Sequence, residues 1–110
     1  MRTAKVFRNS ILAGTLIEDE NRNFQFEYDP LYFATDEYPA ISLTMPKSNI
    51  KYTSDYLFPF FFNMLAEGSN RKLQTRHLQI SENDHFGLLL ATSNEDAIGP
   101  ILIKEIEQNG

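Results

Sequence analysis

Phe24-Gln25-Phe26-Glu27-Tyr28 alternates aromatic and polar residues at period two, and this stretch decides how the rest of the chain is read. A strand sends successive side chains to opposite faces, so the three rings share one face while Gln25 and Glu27 share the other. That predicts a strand with a core on one side and solvent on the other. Turn-forming and charged residues, Glu18–Asn23, precede it. Asp29-Pro30 follows: an aspartate that can cap exposed N–H groups, and a proline tolerated in the first helical position, opening a short helix through Ala34.

Upstream, Ala4–Arg8 and Leu12–Ile17 read as two strands joined by the polar turn Arg8-Asn9-Ser10, with Gly14 inside the second strand. Downstream, Pro39 closes the first helical segment and Ile41-Ser42-Leu43-Thr44-Met45-Pro46 alternates again, which predicts a strand ended by Pro46; Lys47–Thr53 reads as an exposed loop. Leu57, Phe61, Met64 and Leu65 recur at helical spacing, and Pro59 suits a helix start, so a regular helix is expected at about Pro59–Ala66 with Gly68 as its stop. Asn70 can cap a second helix through Gln79, Ser81–Asp84 a third over Asp84–Ala91, and Pro100–Ile106 suggests a last strand. The expected fold is one small α+β domain over residues 1–110: a hairpin and further short antiparallel strands packed with three to four short helices.

Composition bounds the function. Hydrophobic residues make up 42% of the 110 and aromatics 13%, enough bulky apolar surface to oppose chain entropy without staples. Cysteine is absent, which removes disulfides, thiolate nucleophiles and cysteine metal sites together and agrees with a reducing compartment. No signal peptide and no apolar run of membrane-spanning length is present, so a cytoplasmic protein without membrane attachment is expected. A net charge of −5 and no basic run disfavour direct nucleic-acid binding, which depends on clustered Lys and Arg to neutralise phosphates.

The usual signatures of catalysis are missing. His77 and His85 fall on different expected helices without an HExxH-type pattern, and no hydroxyl sits in a GxSxG elbow. The five glycines form neither a Walker loop nor a GxGxxG turn, and the carboxylate groups Glu18-Asp19-Glu20, Glu82/Asp84 and Glu95-Asp96 lie in expected loops. No enzyme activity, catalytic residue, cofactor or metal is therefore expected. The Phe58, Phe60, Phe61 and Phe62 cluster is the most unusual local feature; a helix cannot aim four rings one way, so either the rings pack in the core on two faces or one of them, such as Phe60, helps form an apolar patch that a partner covers, and core packing is the reading favoured for most of them.

Several segments in order resemble the N-terminal subdomain that precedes the kinase core in HipA-family serine/threonine kinases. Gly14-Thr15-Leu16, Phe24–Tyr28 and Ile41–Pro46 look like its early strand, aromatic strand and SLxxP-type segment. The stretch Pro59-Phe60-Phe61-Phe62-Asn63-Met64-Leu65-Ala66-Glu67-Gly68-Ser69-Asn70-Arg71 is similar to a family PFFxNLLPEGxxR motif. Asp84–Leu89 and Glu95–Gly99 follow in the family's order, and the resemblance covers roughly residues 3–106. Ala66, Asn94 and Pro100 depart from it, standing where the family commonly has proline, glycine and alanine.

The resemblance implies a HipA N-terminal subdomain-like protein without the nucleotide loop and catalytic aspartate of a kinase core. Met1 close to the first strand and the polar end Glu107–Gly110 suggest a complete small protein. As such it is similar to the small HipS-type component of three-gene HipBST toxin–antitoxin systems. The implied role is an antitoxin that binds and inhibits a HipA-like, HipT-type kinase toxin, with a helix-turn-helix HipB-like protein as a possible third member of the complex. The alternative is a structural or activating subunit completing a split kinase. The expected partner-binding residues are Phe60, Glu67, Gly68, Ser69, Asn70 and Arg71, at and after the most family-like stretch.

Overall fold

Arg8 and Ile11 face each other across a two-residue turn in which Asn9 and Ser10 both have positive φ, 50° and 68°. That geometry matches the right-handed twist of the strands it joins, and it closes the hairpin of β1 (Arg2–Arg8) and β2 (Ile11–Glu18). The computed structural model describes residues 1–65, 76, 79–81, 83–92 and 100–106. A second turn, at 19–23, is organised by the Asp19 carboxylate, which accepts from the backbone N–H of Asn21 at 2.8 Å and of Asn23 at 2.9 Å. It delivers the chain into β3 (Phe24–Tyr28), the aromatic strand read from the sequence.

Among the described residues the sheet has five strands in the order β4-β3-β2-β1-β5, every neighbouring pair antiparallel, with β4 at Lys51–Ser54 and β5 at Ile101–Glu105. The first four strands run as a meander, and β5 returns to lie outside β1. Between β1 and β2 the register shifts after Val6, so that Val6 pairs with Gly14 but Phe7 with Leu12. Ala13 is the extra residue of this bulge, and its carbonyl accepts from the Asp29 N–H at 2.8 Å, tying the bulge to the helix that follows β3.

Three helices set out among the described residues pack on one face. The first, α1 (Pro30–Ala34), is capped by Asp29, whose carboxylate accepts from Leu31 and Tyr32 N–H groups, as the Asp-Pro pair predicts. The second, α2 (Pro59–Phe62), is a single turn, and α3 spans His85–Thr92. Ala4, Val6, Leu16, Phe24, Phe26, Tyr28 and Ile103 from the sheet close against Tyr32, Phe61, Phe86, Leu88 and Leu89 from the helices. The rings meet edge-on or offset, as Phe26 against Tyr28 at 4.9 Å and 81°. Gly14 is required here because a Cβ at this position would stand 2.6 Å from Cζ of Phe26 and collide with the Glu27 carbonyl.

Three local expectations are corrected. Residues 41–46 form turns, not a strand: Ile41 and Met45 are buried where a loop dips twice into the core, and Leu43, which a strand would place on the same face, is fully exposed. The Tyr28 hydroxyl holds both dips, donating to the Met45 carbonyl and accepting from the Ile41 N–H. Strand β4 occupies Lys51–Ser54, within and just beyond the stretch read as loop, because β3 offers it a ladder edge. Helix α2 ends at Phe62, followed by tighter turns in which Met64 and Leu65 N–H groups reach Phe61 and Phe62 carbonyls. Ala66 and most of the helix expected at Asn70–Gln79, His77 included, lie outside the described residues.

Candidate partner-binding surface

Pro59 suits the first position of α2 because its missing N–H is one no helix start can pair, while Phe58 turns its carbonyl to the N–H groups of Phe61 and Phe62, both at 2.9 Å. One turn of helix sends four rings in different directions. Phe61 is fully buried beneath Phe26, its ring centroid 5.9 Å away, and Phe58 is nearly so. Phe62 stands edge-on to His85 at 5.0 Å, which links α2 to the start of α3. Phe60 is half-buried, with its ring edge-on to Phe61 at 5.1 Å. Met64, one turn further along, is 37% exposed. The end of α2 thus presents an aromatic face and a thioether at the surface, held from behind by the core.

Of the residues expected to bind a partner, the structure places Phe60 here. Glu67, Gly68, Ser69, Asn70 and Arg71 lie outside the described residues, which end for this segment at Leu65. Leu65 is itself buried, so the chain leaves α2 anchored to the core.

Beside α3 stands a polar cluster that sequence reading did not assemble. The Arg2 guanidinium donates from Nε to Glu18 at 2.8 Å and, in a fork, from its two terminal nitrogens to the Asp84 oxygens at 3.0 and 2.6 Å. Its carbon lies 5.1 Å from the Phe86 ring centroid. Asp84 accepts in addition from the Gly87 N–H at 3.0 Å, so one carboxylate caps α3 and grips the first strand. The hydrogen bonds from Arg2 hold the Asp84 carboxyl below its ordinary pKa, and those to Asp84, ahead of Glu18, hold the Arg2 guanidinium still more firmly protonated. Gly87 has no room for a Cβ beside Asp84 and Arg2. With all charges mutually satisfied, this cluster is a clasp between sheet and helix.

Other features carry little chemistry. A shallow depression of about 560 Å³ lies between the 19–23 turn and Asp55–Tyr56, its Asp19 carboxylate already committed to the turn. Among the described residues no three His, Cys, Asp or Glu side chains converge as a metal site would require, and no helix is long and apolar enough to cross a membrane.

Known proteins share this arrangement. The HipA N-terminal domain family matches residues 4–104. An uncharacterized protein of Haemophilus influenzae is 34% identical over 108 residues, 98% of this chain and 96% of that protein. The solved structure of the N-terminal domain of HipA toxin superposes with a TM-score of 0.73 at 29% identity, covering 99% of this chain and 96% of that one. The chain belongs to the HipA N-terminal domain family.

Proposed function

We propose that this protein is an antitoxin that binds a HipA-like serine/threonine kinase and inhibits it, in the manner of the HipS-type component of a three-gene system. The observation that carries the reading is the extent of the family match: residues 4–104 correspond to the HipA N-terminal domain, and the fold follows the N-terminal domain of HipA toxin along 99% of the chain. That domain is not the catalytic part of the kinase, so the reading assigns this chain no enzyme activity of its own. A domain of the type that sits beside a kinase core has a ready-made surface for binding such a core in trans, where it blocks substrate access or holds the lobes in an inactive arrangement.

In this reading the kinase is met at the end of α2, where Phe60 and Met64 reach the surface, and along Glu67, Gly68, Ser69, Asn70 and Arg71. The protein works in the bacterial cytoplasm, and a HipB-like helix-turn-helix protein joins the kinase in a ternary complex. The test is co-expression with the kinase encoded beside it, with growth and pull-down followed together. Rescue of growth with a stable complex is the expected result. Binding that deepens toxicity would instead make the chain an activating subunit, and no binding would remove the kinase partnership.

A further inference from the structure

The face of the sheet turned away from α1, α2 and α3 carries a second apolar set that is not in the core cluster. Leu102, Phe7 and Leu12 lie in register across β5, β1 and β2, each half-buried, and none of them packs against the core cluster. The adjacent row reads Lys104, Lys5, Thr15, Glu27, Lys51 across all five strands. Lys104 and Lys5 are exposed and directly opposite each other, and no ion pair among the described residues engages either; Lys104 reaches only the Phe7 ring, at 5.9 Å. Like charges placed in register weaken a sheet, so this pairing runs against folding. Departures of that kind mark surfaces kept for another purpose. The row also holds three lysines against one glutamate in a chain whose net charge is −5.

We infer that this open face is a second docking surface, on the side of the sheet away from α2, for a protein partner that presents carboxylates beside an apolar patch. The inference rests on the kinase reading above, and it names that kinase as the occupant. Charge complementarity chooses the chemistry: carboxylates would relieve the Lys5–Lys104 repulsion while apolar side chains cover Phe7, Leu12 and Leu102. Nucleic acid fits less well, since a few lysines on an acidic chain supply too few phosphate contacts.

The test titrates the wild-type chain, Lys104→Glu and the double variant Lys5→Glu with Lys104→Glu against a catalytically inactive form of the neighbouring kinase, at low and high salt. The double variant is expected to bind about tenfold or more weakly at low salt, with the difference shrinking at high salt. Lys104→Glu places opposite charges in register, so it is expected to unfold roughly 1–5 °C higher than wild type while binding more weakly, a split that a purely structural role would not give. Wild type that binds, with a double variant within twofold of it, overturns the inference and leaves the kinase reading standing. Wild type that does not bind overturns the kinase reading itself. A wild-type dimer abolished by the double variant gives the face to a second copy and overturns the kinase as its occupant.

Discussion

The two faces of this sheet are made by alternate residues of the same strands, yet they answer to different demands. On the covered face Phe24, Phe26 and Tyr28 meet Leu16, Val6 and a glycine chosen because a Cβ would strike the Phe26 ring. On the open face Gln25 and Glu27 alternate with them, and the neighbouring strands contribute lysines and the separate Leu102–Phe7–Leu12 row. One face is over-determined by packing; the other tolerates like charges in register. The difference teaches that the hydrophobic effect accounts for the first set and leaves the second without a folding reason, which is why the second is the more informative about partners.

Substitutions can break or sharpen that contrast. The largest loss is expected from Phe26→Ala, where removing a fully buried ring leaves a cavity under α2 and costs about 3–5 kcal/mol in denaturant unfolding. Gly14→Ala on the same face should cost roughly 1–3 kcal/mol because the new methyl must displace the Phe26 ring or the Glu27 backbone. Tyr28→Phe deletes the hydroxyl that holds the Met45 carbonyl and the Ile41 N–H, at about 1–3 kcal/mol, and hydrogen exchange should rise selectively across residues 41–46. On the open face, Lys5→Ala should change stability by less than about 0.5 kcal/mol. A loss there as large as that of Gly14→Ala would dissolve the distinction between the faces.

The clasp between sheet and helix adds a pH test. Because Arg2 holds the folded Asp84 carboxyl below its ordinary 3.8, its contribution is complete above the ordinary range and is lost as pH falls through the lowered value. Asp84→Asn should therefore be less stable than wild type near neutrality, and the two should converge in acid. A gap that persists unchanged in strong acid would mean the carboxylate contributes by shape alone.

How much of this was legible beforehand follows the range of the interactions. The β1–β2 hairpin, the aromatic strand, the Asp29-Pro30 helix start and the capped helix at His85 depend on neighbours within a few residues, and each stands where the sequence places it. Residues 41–46 misled because Ile41, Leu43 and Met45 alternate with polar residues in the sequence as a strand's would, although only Ile41 and Met45 are buried, and the Tyr28 hydroxyl that holds those two lies 13 and 17 residues away. Strand β4 escaped notice because an edge strand such as Lys51-Tyr52-Thr53-Ser54 has one large apolar residue and borrows its order from β3. Of the candidate site, Phe60 is half-buried against Phe61 at the end of α2, whereas the Arg2–Asp84 fork joins residues 82 apart and leaves no local signal.

The most direct test of the account is phosphoryl transfer by the purified neighbouring kinase, measured as this chain is added in increasing amounts. The account predicts that activity falls to background as the chain reaches stoichiometric excess, with a complex recovered at the same ratio. Unchanged activity across that range would contradict it, and a rise would contradict inhibition and make the chain the completing subunit of a split kinase.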